Sequence, residues 1–488
     1  MIKNTIAGAV ILCLLTVFAL IIPTKPSILS MACGIGIALI IIIHFIATVN
    51  TKKERIDNAA FWIPLLSLSV LFVILPVVFA AALYLWGTFS LISWVLLISL
   101  SLVFYYNFLT IPLAIYHKRL EIKKGDKLAC FPSLTVLIPA YNEEKVLRRT
   151  IETVLEATYH DKEIIVIDDG STDNTYQIAR CFYKQGVKVI RRPNGGKAVA
   201  LNHGLRFARG EVVVVVDADS MVGKHALLEI VQPFVDPAVA AVAGNIKVIN
   251  RMNWLTKCQA LEYIASINLY RRALDVFGSV TVVPGAIGAY RREVLESGGY
   301  YDSDTLVEDF DVTVKALKTG KIIQASTRAI SYTEAPQTLR DIIKQRQRWY
   351  RGNFQAMWKH RDAVFNSRYG FLQKLSFPYM VMSMMFTPLA GVVSIAAAII
   401  ALLNGGGHVM APTVIFFFVL QLLISWLALQ LEGEDRKLTF YAPLFIIGYK
   451  QLCDFIIMKS MLDVIFRRDL RWTSVRRTGT EVSRSALS

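Results

Sequence analysis

Charge is scarce in this chain. Only 18% of its 488 residues are Asp, Glu, Lys or Arg, against 54% hydrophobic. That balance is too apolar for an ordinary soluble domain. Acid is scarcer than base: 37 acidic residues stand against 53 Lys and Arg, a net charge of +16. Clusters of acid therefore stand out. Cysteine is thin as well. Its six positions, Cys13, Cys33, Cys130, Cys181, Cys258 and Cys453, show no paired spacing, so neither a disulfide framework nor a cysteine metal site is expected. The GxxxxGK[ST] loop of nucleotide hydrolases is missing. The first apolar stretch lacks a small-residue cleavage site and is soon followed by another, so it reads as an anchor rather than a cleaved signal.

Long apolar runs are what the chain does have. Ile6 to Ile22, Ile28 to Val49, Ala60 to Trp86 and Ser90 to Tyr116 are each near the length that crosses a bilayer. They define residues 1–124 as four transmembrane helices. Lys52, Lys53 and Arg55, and the run His117 to Lys124, mark the cytoplasmic side. His44, alone in the second span, reads as a core or interfacial histidine. Residues 376–488 hold two or three further spans and a basic tail: Ser376 to Leu403, Thr413 to Leu431, and Phe440 to Phe466. The last contains Lys450, Asp454, Lys459 and Asp463, two Lys–Asp pairs at i, i+4. It reads as a span or an in-plane helix. Membrane lipid is the first partner the basic excess implies, and no nucleic-acid partner is expected.

Between the spans the texture changes. Residues 125–335 alternate short apolar strands with helical patterns: Leu134 to Ile138, Glu163 to Ile167, Val187 to Ile190 and Glu211 to Val216 read as strands. Such alternation predicts a parallel, doubly wound α/β domain, in which ligands sit beyond the carboxyl ends of the strands. Three polar motifs fall at those ends: PAYNEE (Pro139 to Glu144), DDGS from Asp168, and Asp217-Ala218-Asp219.

Each motif has a chemistry and a bland counterpart. Ala140 and Tyr141 can meet a nucleoside by backbone and ring, with Glu143 accepting from ribose or base. Asp168 and Asp169 can accept from a base N–H or a ribose hydroxyl. Asp217 and Asp219 can share a Mg²⁺ or Mn²⁺ that also touches a diphosphate, although a lone DxD is more often a solvated turn. Lys197 follows two glycines and suits a phosphate. Gly285 belongs to a glycine-punctuated loop, Pro284 to Arg292, that could lie under a sugar acceptor. Glu308, Asp309 and Asp311 can supply a general base, or merely favour a helix N-terminus.

Residues 336–375 carry QRQRWYRG and a mixture of Arg, Lys, Trp and Phe that suits interfacial helices. If helical, Gln345, Arg348 and Trp349 share a face. A guanidinium clamps phosphate, an indole stacks on a ring, and an amide reads hydroxyls. The alternative is a basic amphipathic helix lying on a membrane.

In order, PAYNEE, DDGS, NGGKAVALN, DAD, GAIGAYR, VEDFD and QRQRW resemble the membrane-bound, processive members of glycosyltransferase family 2, the synthases of cellulose, hyaluronan, chitin and poly-N-acetylglucosamine. The likeness covers about Leu134 to Trp358 and the flanking spans. It implies a cytoplasmic GT-A (Rossmann-like) α/β domain inserted between N- and C-terminal helix bundles in the cell membrane. It implies an inverting transfer from a UDP-sugar donor to a growing polysaccharide acceptor, coupled to export, with a small accessory membrane subunit as a further partner. Asp168 and Asp169 would hold uridine, and Asp217 and Asp219 the metal and diphosphate. Asp309 would be the base, and Gln345, Arg348 and Trp349 would serve the donor diphosphate and acceptor. Val307 stands where the family often has Thr, so only the acidic pair carries over. The acceptor loop lacks the cysteine of cellulose synthases and looks closer to the poly-N-acetylglucosamine and hyaluronan branches. No cyclic-dinucleotide-binding domain is expected. Rival readings are transfer to a lipid acceptor and a nucleotide-binding transporter or sensor.

Overall fold

The computed structural model describes residues 113–121 and 131–468 except 406, together with 95, 99, 103, 110 and 111. The first three expected spans, most of the fourth, His44, Lys52 to Arg55 and nearly all of the basic tail lie outside the described residues. The chain divides into two units, one of Tyr116–Met384 with Phe455–Ser488, the other of Met1–Ile115 with Met385–Asp454.

The first unit is built on an eight-stranded sheet. Its strands are β1 (Leu134–Ala140), β2 (Lys162–Asp168), β3 (Val187–Arg191), β4 (Val212–Val215), β5 (Ser220–Val222), β6 (Val239–Val248), β7 (Gly288–Arg291) and β8 (Ile322–Thr333). They lie in the order β3-β2-β1-β4-β7-β6-β8-β5. The expected parallel, doubly wound pattern holds for β3-β2-β1-β4. Beyond β4 it gives way to a mixed sheet, because β7 runs antiparallel to both β4 and β6, and β5 antiparallel to β8. The GAYR segment expected as loop is therefore strand β7.

Continuous burial explains the parallel half. Every residue of β1 and β4 is buried, as the β-branched runs require of a sheet covered on both faces. The Leu147–Glu156 helix covers one face with Leu147, Ile151 and Val154, the i, i+4, i+7 stripe of an amphipathic helix. On the other face, the Lys197–Leu205 helix approaches β2 closely because Gly204 has no side chain. A Cβ there would meet Ile167 Cδ1 at 2.8 Å. Chain order reverses around β1, so a crevice opens past Ala140, Asp168 and the end of β4.

Two further helices flank that crevice. Trp254–Glu262 passes through a π turn, Tyr263–Asn268, into Leu269–Asp275. Leu339–Lys359 is a single 21-residue helix capped by the Thr338 side chain on Asp341 N, and it carries the whole QRQRW sequence.

In the other unit, Gly407–Glu432 is one helix of 26 residues. Two helical stretches, Leu372–Leu403 and Arg436–Ile465, are long and apolar enough to cross a membrane; each runs partly into the first unit. Only 28% and 33% of their most apolar windows are buried. The Lys450–Asp454 pair forms as expected, at 2.5 Å. The second expected pair is replaced: Asp463 bonds to Arg351 and Arg468. Partners from a distant helix and from the chain's turn outcompete the local lysine.

Candidate active site

The loops after β1 and β2 are zipped together. Asn142 sits at φ 56°, a left-handed conformation that asparagine tolerates. Its N–H donates to Ser171 Oγ at 3.0 Å, and its Oδ1 accepts from Thr172 N at 2.9 Å. Glu143 N–H donates to Thr175 Oγ1 at 2.8 Å. Ala140 is buried and its carbonyl accepts from Asp169 N at 2.9 Å, while the Tyr141 ring remains exposed. The two loops thus present one rigid wall.

Asp168 and Asp169 lie inside that wall, 0% and 3% exposed. Asp168 Oδ1 accepts from Ser171 N, and Arg191 Nε stands 3.1 Å from Oδ2. Asp169 accepts from Gly196 N at 2.8 Å, from Gly195 N at 3.2 Å, and from Arg192. The two glycines expected to approach a phosphate instead approach this carboxylate.

Lys197, released from that loop, turns across the crevice. Its Nζ lies 2.7 Å from Asp217 Oδ1 and 2.6 Å from Glu308 Oε1. Burial opposes its charge, but Asp217, Glu308 and Asp309 together hold the ammonium above the ordinary lysine range. Gly285 completes the arrangement. Its carbonyl accepts from Asp217 N at 2.9 Å, and a Cβ on it would meet Lys197 Nζ at 2.5 Å and Asp217 Oδ1 at 2.8 Å. Asp219, on the buried side of the turn, accepts from Ser220 Oγ at 3.3 Å.

The VEDFD carboxylates have separate fates. All three open the Glu308–Lys318 helix. Glu308 faces Lys197. Asp309 lines a cavity of about 10 Å³ with Gly285, Tyr290, Tyr301 and Glu308, room for about one water. Burial first, and then the Glu308 carboxylate, push Asp309 up to about 6 against the pull of Lys197. Asp311 points the other way. It is fully buried and binds His360 Nε2 at 2.9 Å and Lys359 Nζ at 3.0 Å. Asp302, Asp304 and Asp311 converge closely enough to hold a cation, but Lys359 already sits among them, at 2.6 Å and 2.8 Å from the first two. The ammonium fills the place a metal would take.

On the Leu339–Lys359 helix, Gln345 is buried and its Oε1 has no hydrogen-bond partner among the described residues. Trp349 is half-buried, as is Arg348. A residue that motif reading passed over does the local organising. Arg346 is 2% exposed, donates to Glu262 Oε2 at 2.6 Å, and lies 4.5 Å from the centre of the Trp349 ring. Its i, i+3 spacing to Trp349 was the available signal; Glu262, 84 positions upstream, gave none.

A mixed sheet with an acid-lined crevice at the carboxyl ends of its parallel strands is an α/β fold of the GT-A kind. Residues 135–299 match Glycosyl transferase family 2. The poly-beta-1,6-N-acetyl-D-glucosamine synthases of Staphylococcus epidermidis and Staphylococcus aureus are each 33% identical over 227 residues, 46% of this chain and 55% of theirs. The chain thus spans just over half the length of these curated relatives. The mannosyltransferase PcManGT from Pyrobaculum calidifontis, solved in complex with GDP-Man and Mn²⁺, shares the fold, with a TM-score of 0.55 and 20% identity over 78% of this chain and all of that one.

Proposed function

We propose that the protein is an inverting glycosyltransferase that moves a sugar, N-acetylglucosamine first among candidates, from a UDP-sugar onto a growing β-linked polysaccharide. The observation that carries this reading is Asp309. It is a crevice carboxylate raised to about 6, which suits a base working near neutrality. The acceptor hydroxyl gives its proton to Asp309 as its oxygen bonds to the sugar's anomeric carbon. The bond from that carbon to the diphosphate breaks, and UDP leaves with the electron pair. A divalent cation held by Asp217 and Asp219 would neutralise charge on the leaving diphosphate. The donor set fits a hard cation, since both are carboxylates. Lys197 and Arg348 supply cations for phosphate, and the Gln345 amide oxygen an acceptor for a sugar hydroxyl.

The names of the staphylococcal relatives support a polymer product. The two long apolar helices support a membrane setting, because so little of their surface is covered. Membranes containing the protein, supplied with Mg²⁺ or Mn²⁺ and a panel of labelled UDP-sugars, should release UDP and accumulate polymer from one donor. No turnover with any donor would sink the reading.

A further inference from the structure

Arg271 has no evident reason to be where it is. It lies on the Leu269–Asp275 helix and is 7% exposed. A guanidinium carries five N–H donors and a charge that proteins do not remove. Among the described residues, its one hydrogen bond is to Gly244 O at 3.4 Å, long for such a bond, and it forms no ion pair. Its neighbour Arg272 shows what a satisfied arginine looks like here, with Glu121 Oε2 at 3.0 Å. Burying a cation without a counter-ion is costly, and native structures avoid it.

The surroundings say what is missing. Arg271 is within electrostatic reach of Asp309 and of the Tyr263 phenol, and Tyr263 in turn feels Asp219. It therefore stands close enough to the base to feel its charge. Asp309 does not neutralise it at contact distance, and burial dominates, pulling the guanidinium down to about 10. The π turn at Tyr263–Asn268 immediately precedes it, a feature often found at functional sites.

We propose that Arg271 is a substrate-binding residue whose counter-ion is an oxyanion brought by the ligand, a phosphate oxygen of the nucleotide-sugar donor. The assignment rests on the sugar-transfer reading for the donor's identity, but the anion site itself does not. Planar guanidinium forks match phosphate geometry, and the charged ligand satisfies at once the donors that the protein leaves open.

The test uses the full chain in detergent, with inorganic pyrophosphate as the probe and Arg271→Met and Arg271→Lys as variants. Calorimetry and thermal melting are read together. Pyrophosphate should bind the parent and raise its melting temperature, bind Arg271→Met about 10- to 100-fold more weakly, and bind Arg271→Lys in between. Without ligand, Arg271→Met should melt no lower than the parent, since it loses an unpaired buried charge. Unchanged pyrophosphate affinity in Arg271→Met overturns the proposal. So does a large fall in its ligand-free melting temperature or a failure to fold, either of which makes Arg271 a structural cation. An Arg271-dependent response to glucuronate but not to pyrophosphate also overturns it, by placing a sugar carboxylate there. A parent that binds pyrophosphate through Arg271 yet turns over no UDP-sugar keeps the anion site and removes the transfer reading instead.

Discussion

Gly352 and Val307 are packed so tightly that a Cβ on the glycine would meet Val307 Cγ1 at 2.6 Å. The contact joins the QRQRW helix to the segment that begins VEDFD. It also explains why valine suits position 307, where a branched apolar side chain fills the notch. Gly352→Ala gains helix propensity of about 1 kcal/mol but overpacks this contact at about 1–3 kcal/mol. The variant should melt below the parent, and Val307→Ala in the same chain should restore the melting temperature. Melting curves of the two single variants and the double variant check this.

Asp309→Asn should cost about 10²- to 10⁴-fold in turnover while leaving UDP affinity close to that of the parent. The parent's rate should rise about tenfold per pH unit below about 6 and level off above it, because the carboxylate must be ionised to take a proton. The residual rate of the Asn variant should lack that limb. A pH series on both proteins, with UDP binding measured alongside, decides between Asp309 and Glu308 as the base.

Asp219→Asn should weaken donor binding in the presence of Mn²⁺ and leave the metal-free affinity for UDP unchanged. Chelation should reduce the parent to the level of the variant. Titrating UDP with and without Mn²⁺ provides the comparison. Equal loss in both conditions would take Asp219 out of the metal site.

Much of this site is legible in the sequence. Strands β1, β2 and β4 announce themselves as apolar, β-branched runs ending in polar motifs, and Asp217, Lys197, Gly285 and Asp309 do converge. The antiparallel half was not legible. Four of the ten residues of β6 are alanine or glycine, β8 scatters its polar residues without regular alternation over 12 positions, and the glycines around β7 read as a loop. Partnerships over long sequence distances were equally hidden. Nothing near Asp311 names Lys359 and His360, nothing near Arg346 names Glu262, and Asp463 has a lysine at local spacing yet takes Arg351.

If the apolar helices hold the chain in a membrane, the polymer has to cross it, since sugar hydroxyls stripped of water in hydrocarbon lose their partners. Sealed inverted vesicles given outside donor should make product that resists added glycosidase until detergent is supplied. Trp349→Ala should shorten or stop that product while UDP still binds, if the indole is the ring on which a sugar stacks. Fully digestible product in intact vesicles would favour transfer to an acceptor on the same side.

The π turn at Tyr263–Asn268 sets the angular phase of everything after it on that helix. Successive residues are turned by about 100°, which is how adjacent Arg271 and Arg272 reach opposite partners, Gly244 and Glu121. Insertions and deletions here are consequently unequal. Losing one residue from the turn advances Arg272 into the bearing of Arg271, so that bearing keeps an arginine and Glu121 loses the Arg272 bond while keeping Lys118 and Arg328 nearby. Gaining one does the reverse: Arg271 swings toward Glu121, and Tyr270 is left at the Arg271 bearing. A change of length in this turn thus keeps an arginine at the Arg271 bearing in one direction only.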